Sequence, residues 1–120
     1  MINATKSDRW EAQFRKGCLE LAILATLLEG RLYGLEILRK LEANPKMAIG
    51  EGTVYPILSR LKNEGLVESE WVEADAGHPR KYYRLTRAGR IRIREMAAFW
   101  EEFSHSLDFL LVPLRKENAR

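Results

Sequence analysis

Basic side chains are concentrated in one stretch of the chain, where they could neutralise an anionic partner such as nucleic acid. Residues 80–94 contain seven basic residues and no acidic one, whereas residues 64–75 contain five acidic residues and no basic one. Because the net charge is only +3, the positions of the charges, and not their sum, indicate a surface for a polyanion. The basic residues are Arg80, Lys81, Arg84, Arg87, Arg90, Arg92 and Arg94.

A second set of polar residues lies within the segment TVYPILSRLKNEG. Its apolar residues recur with the period of a helix, so the opposite face must carry hydroxyl, aromatic and basic groups. That face consists of Thr53, Tyr55, Ser59, Arg60 and Lys62. Such a helix can enter a major groove, with its hydroxyl groups near bases and its cations near phosphates. The alternative is an ordinary solvated helix face on which Tyr55 packs against a neighbouring helix.

The segment GHPRKYYR predicts a basic turn, because a glycine and a proline precede a run of cations. His78, Arg80 and Lys81 would project charge from this turn. A basic tip of this kind suits phosphates or a minor groove. The alternative is a charged tip that only keeps the protein soluble.

The sequence contains no catalytic set and no metal-ligand spacing. His78 and His105 are isolated, and Cys18 lies in an apolar segment, where a small buried residue is expected. We therefore expect no enzyme activity, no cofactor and no metal. A single cysteine, no apolar run long enough for a membrane span and no signal peptide are typical of a cytoplasmic protein.

Four helices and a hairpin must position these groups. The first helix is expected from Arg9, capped by Asp8, to Gly30, and shorter helices are expected over YGLEILRKLEANP and TVYPILSRLKNEG. The segments LVESEWVE and RKYYRLT predict two strands joined by the turn ADAGHP. Thr86 can cap a last helix, and Pro113 would stop that helix at about Val112.

This order of elements predicts a mainly α fold with a two-stranded β wing: a winged helix-turn-helix domain followed by a C-terminal dimerisation helix. The expected boundaries are 1–8 for a disordered N-terminus, 9–86 for the DNA-binding domain, 87–113 for the dimerisation helix and 114–120 for a disordered tail. Fold alone does not establish nucleic-acid binding.

A heptad pattern in the last helix predicts an apolar seam. Its members are Ile93, Met96, Trp100, Phe103, Leu107 and Leu110. With Trp10 and Phe14 on the first helix, this surface is wider than one small domain can cover, so a homodimer is the simplest expectation. The helix could instead pack only on its own domain. Trp100 could fill the seam or form the wall of a pocket for a flat ligand.

Three segments resemble the PadR-like family of bacterial transcriptional regulators. They are KGCLELAILATLLEGRLYGLEIL, GEGTVYPILSRLKNEGLVES and GHPRKYYRLTRAG, and the resemblance covers about residues 16–90. The resemblance implies a winged-helix homodimer, usually a repressor. It also implies recognition-helix roles for Thr53, Tyr55, Ser59 and Arg60 and a basic wing at His78, Arg80 and Lys81.

The length of the chain and its single long terminal helix are similar to the compact branch of that family, in which some members bind flat aromatic compounds between paired tryptophans. By that resemblance Trp100 would line such a pocket, with Glu20 and Leu21 at its floor. The sequence thus predicts a dimeric repressor that binds a roughly palindromic operator and is released by a ligand. A winged-helix module that binds proteins, or a regulator without a ligand, is the alternative.

Overall fold

The computed structural model describes residues 6–73 and 77–119. It contains four helices and a small antiparallel sheet: α1 (Lys6–Thr26), β1 (Leu32–Tyr33), α2 (Gly34–Glu42), α3 (Glu51–Asn63), β2 (Val67–Glu73), β3 (Pro79–Leu85) and α4 (Arg87–Asn118), with a short 3-10 helix at Pro45–Met47. The predicted mainly α winged helix-turn-helix with a long C-terminal helix is confirmed. None of the helices in the described ranges is long and apolar enough to cross a membrane.

The core lies where α1, α2 and α3 meet the inner face of the sheet. Each of these helices contributes residues that are completely or almost completely buried, among them Ile23 and Leu24 of α1, Ile37 of α2, and Val54 and Leu58 of α3. The helical spacing of these residues places them on one side of each helix, so that polar side chains face outward. On α3 this burial leaves the predicted polar face exposed to solvent.

The wing has one more strand than the sequence predicts. The strand order is β1–β3–β2, with Leu32 opposite Tyr83 and Tyr33 opposite Tyr82. A two-residue strand has no periodicity of its own, so the pattern of the sequence could not reveal it. The predicted two-stranded hairpin is present as β2 and β3, although residues 74–76 of the predicted turn lie outside the described residues.

Thr86 caps α4 as predicted and also fixes it to the rest of the domain. Its hydroxyl accepts a hydrogen bond from the Gly89 N–H (3.0 Å) and donates one to the Gly65 carbonyl (2.6 Å). Gly89 is required here, because a Cβ at this position would overlap the carbonyl group of Leu66. The first turn of α4 therefore lies directly on the connection between α3 and β2.

The ends of the helices differ from the prediction. Helix α1 begins at Lys6, upstream of the Asp8 cap, and ends at Thr26, whose hydroxyl bonds to the Ile23 carbonyl, so it stops before Gly30. Helix α4 passes through Pro113 and ends at Asn118. A proline removes one backbone hydrogen bond, but here the surrounding residues are exposed and the helix continues on both sides.

The observed helices extend into both of the termini that the sequence predicts to be disordered, residues 1–8 and 114–120. Residues 6–8 and 114–118 are helical, whereas 1–5 and 120 lie outside the described residues. The 32 residues of α4 correspond to about 48 Å of helix. From residue 97 to residue 119 every side chain except Ser104 and Leu107 is exposed, so the distal half of α4 does not pack on the winged domain.

Candidate nucleic-acid interface

Helix α3 presents the predicted polar face to solvent. Val54, Leu58 and Leu61 are fully buried and Ile57 is partly buried, as the helical period predicts. The opposite side is exposed and carries Thr53, Ser59, Arg60 and Lys62. Arg60 lies 3.6 Å from Glu64 one turn later. An exposed pair of this type contributes little to stability, so a phosphate could replace the carboxylate at low cost.

Tyr55 is placed differently from the other members of this face. Its side chain is 39% exposed, and its ring lies over Gly34 at the start of α2. A Cβ on Gly34 would be only 2.7 Å from Cζ of that ring. Burial first, and the charge of the Tyr55 phenol second, raise the pKa of Tyr83. Tyr55 therefore packs on the start of α2, and only its outer part is open to a ligand.

The cations of the wing lie against aromatic rings. The guanidinium of Arg80 is 4.6 Å from the centre of the Tyr33 ring, and the ammonium of Lys81 is 5.9 Å from the Trp71 ring and 5.8 Å from the Tyr83 ring. These contacts turn both cations back along the strands instead of beyond the tip, since ring faces attract cations. His78 is exposed at the tip.

The outer face of the wing is tied together by charges and rings that the sequence reasoning missed. Arg31 lies 4.7 Å from the centre of the Tyr82 ring and 2.7 Å from Glu70. Arg84 lies 2.6 Å from Glu68, and this hydrogen bond raises the pKa of Arg84. Acidic residues of β2 thus neutralise Arg84 of the basic run. The alternation of acidic residues along β2, which places Glu68 directly opposite Arg84, is the signal that could have indicated this pairing.

An apolar depression lies along α1, on either side of Trp100 of α4. It comprises a groove of about 570 Å³, which Lys46 and Met47 of the 3-10 helix also line, and another of about 550 Å³ between α1 and α4. The two grooves share Phe14, Cys18, Leu21 and Trp100. Trp10 packs edge-to-face on Phe14 in the first groove, with ring centres 6.2 Å apart. Two of the predicted ligand residues, Trp100 and Leu21, therefore lie together.

Glu20 does not lie in these grooves. Leu21 lines both grooves, whereas Glu20 lines neither of them. Glu20 instead points to the other side, where its carboxylate lies 3.4 Å from Arg92 of α4. The structure thus separates Glu20 from Leu21 and Trp100.

The predicted seam of α4 divides into two parts. Ile93 is only 5% exposed and belongs to the core of its own domain, and Met96 packs against that core. The first two heptad positions are therefore used within the chain, because α4 begins by packing on the winged domain. Later positions differ: Trp100, Phe103 and Leu110 are exposed, and Leu107 is half-buried.

The described residues contain no metal-binding cluster. Across 6–73 and 77–119, no three His, Cys, Asp or Glu side chains are grouped so that they could hold a metal ion. The features that the fold does assemble are a polar helix face, a basic wing and an apolar groove.

Comparison with known proteins identifies the relatives of this fold. Residues 23–95 match the model of the transcriptional regulator PadR-like family. The transcriptional regulator Rv3488 of Mycobacterium tuberculosis is 30% identical over 95 residues, which cover 79% of this chain and 87% of that protein.

Solved structures agree with this match. A PadR-like transcription factor from Bacteroides fragilis is 40% identical, with a TM-score of 0.70 over 86% of this chain and 99% of the other. A PadR-like transcriptional regulator from Bacillus cereus is 33% identical, with a TM-score of 0.76 over 83% of this chain and 97% of the other.

Proposed function

The chain belongs to the PadR-like family of transcriptional regulators, and we propose that it acts as a homodimeric repressor bound to operator DNA. The observation that carries this proposal is the exposed polar face of α3 beside the basic wing. Thr53 and Ser59 supply hydrogen-bonding groups, and Arg60 and Lys62 supply charge on the same exposed side. A helix of this composition suits the major groove.

We assign the DNA contacts to two elements. On α3, hydroxyl groups and the outer part of Tyr55 meet base edges, while the two cations meet phosphates. On the wing, the cations meet the backbone of the flanking minor groove. The residues of this interface are Thr53, Tyr55, Ser59, Arg60, Lys62, His78, Arg80 and Lys81.

A second copy of the chain is the proposed cover for the α1–α4 depression. Exposed aromatic residues such as Trp10, Phe14 and Phe103 line it, and Leu110, further along α4, is 71% exposed. Apolar surface of this extent is unfavourable in water and typical of an interface. A two-fold axis through this surface would set two α3 helices about one DNA turn, roughly 34 Å, apart.

We propose that a small flat aromatic ligand enters the groove at Trp100. The volume of about 570 Å³ lies within the range of small-molecule sites, and its lining is mainly apolar. A ring inserted beside Trp100 and Leu21 would stack on the indole and shift the partner helix. Both half-site contacts would weaken together, since the spacing of the two α3 helices would change. This mechanism involves no catalytic step and takes place on DNA, in the cytoplasm.

Binding to the DNA upstream of the protein's own gene tests the proposal. We expect the parent dimer to prefer this duplex over a scrambled one of equal length. Arg60→Ala should weaken binding to both duplexes at least tenfold, since a phosphate contact carries no sequence information and a hydrogen bond to a charged group is worth about 1.5–3 kcal/mol. Arg115→Ala is the matched control, because Arg115 lies at the far end of α4 beside Asp108. Equal affinities of the parent, Arg60→Ala and Arg115→Ala would refute the contact between α3 and DNA.

A further inference from the structure

Trp71 is an exposed aromatic residue on the wing that the interface described above does not include. Its side chain is 66% exposed, although it lies in the middle of β2 and directly opposite Lys81 of β3. A large apolar ring left in water is unfavourable, and an exposed Trp with its one N–H donor is typical of contact surfaces.

The register of the sheet places Trp71 on the side of the wing that faces α3. Val67 shares this face because alternate residues of a strand point the same way. Val67 and its partner across the strands, Leu85, are buried in the core between the sheet and the helices, as is Tyr83. Trp71 continues this face beyond the point where the core ends.

A continuous row of side chains connects α3 to Trp71. Tyr83 belongs to the same buried cluster as Val54 and Leu58 of α3, and the Lys81 ammonium lies 5.8 Å from the centre of the Tyr83 ring. The same ammonium lies 5.9 Å from the centre of the Trp71 ring. The cation is thus held between two rings, and Trp71 ends a surface that begins on the recognition helix.

We propose that Trp71 is a DNA-contacting residue of the wing, whose indole covers a deoxyribose and donates its N–H to the phosphate that Lys81 neutralises. The sugar-phosphate backbone offers this combination: an apolar sugar next to a strong acceptor. The contact carries no sequence information, because every nucleotide has the same backbone. This inference rests on the proposed function and adds a residue to its interface.

Two substitutions separate the parts of this contact. Trp71→Ala removes both the ring and the donor and should weaken binding to operator and scrambled duplexes by the same factor, roughly tenfold. Trp71→Phe keeps an apolar ring without the donor and should lose roughly threefold. Arg115→Ala again serves as the control, because Arg115 lies at the far end of α4 beside Asp108.

Fluorescence provides a direct readout. The chain has three tryptophans, so Trp10→Phe with Trp100→Phe leaves Trp71 as the sole emitter. Iodide should quench Trp71 in the free protein, and saturation with operator DNA should protect it. The binding of the single substitutions is measured in the otherwise unchanged chain, so it does not depend on this double variant being folded.

The outcomes are distinct. Unchanged affinity of Trp71→Ala, or unchanged iodide quenching on DNA that anisotropy shows to be bound, would refute the role of Trp71 and leave the proposed function intact. Protection of Trp71 from iodide before DNA is added would also refute the role, because Trp71 would then be covered by protein and not by DNA. Failure of the parent protein to bind any duplex would refute both proposals.

Discussion

Replacing Lys81 by Gln removes one cation from the wing while leaving the strand intact. The Lys81 ammonium lies near two rings, at 5.9 Å and 5.8 Å from their centres. Contacts of this kind are each worth about 0.5–1 kcal/mol at exposed sites, so the variant should remain folded. The main consequence should therefore appear in DNA binding and in its dependence on salt.

The expected magnitude follows from counterion release. Each phosphate that a cation neutralises contributes about 0.9 to the slope of log K against log salt concentration. The loss of one contact should therefore flatten that slope by about 0.9. Between 50 and 200 mM salt, the affinity advantage of the parent over Lys81→Gln should shrink by about 3.5-fold.

Arg84→Gln is the matched control for this experiment. It removes the same charge from the same strand, but Arg84 points to the other face of the sheet and is bonded to Glu68 at 2.6 Å. Fluorescence anisotropy with one labelled duplex across a salt series measures both slopes. We expect a flatter slope for Lys81→Gln only. A parental slope for Lys81→Gln, or equal flattening for Arg84→Gln, would refute the contact between Lys81 and phosphate.

Three further predictions concern stability and assembly. Ile93→Ala should lower the free energy of unfolding by about 2–5 kcal/mol because Ile93 is buried, whereas Leu110→Ala should leave the fold unchanged and raise the dimer dissociation constant roughly tenfold. Urea unfolding and sedimentation equilibrium distinguish the two effects. Gly89→Ala should destabilise the protein by about 1–3 kcal/mol, since the new methyl group meets the Leu66 carbonyl; parental stability would contradict this packing. Burial raises the pKa of Tyr83, so the unfolded state loses this proton first and stability should fall as the pH rises above about 10. Urea unfolding of Tyr83→Phe at alkaline pH should show a weaker fall.

Much of the fold follows from the sequence because it rests on periodicity and local capping. The apolar period of α3 correctly predicts which face Val54, Leu58 and Leu61 bury, and Thr86 caps α4 as its position before an uninterrupted helical pattern indicates. In each case a few neighbouring residues contain the whole signal.

Features that depend on contacts distant in sequence could not be predicted in this way. Strand β1 exists only because β3 offers it hydrogen-bonding partners. The heptad pattern of α4 does not indicate that Ile93 is buried in the core of the winged domain whereas Leu110 is exposed. This difference depends on where along α4 the contact with the winged domain ends. The packing of Tyr55 over Gly34 likewise depends on the angle between α2 and α3.

A footprint on the DNA upstream of the gene tests the central claim most directly. Two recognition helices related by a two-fold axis should protect two patches on successive turns of one face of the duplex, centred about 10 base pairs apart. The same protection should be absent from a scrambled duplex. A single protected patch would contradict the proposed symmetric dimer, and no protection by the folded protein would contradict its role as a repressor at this site.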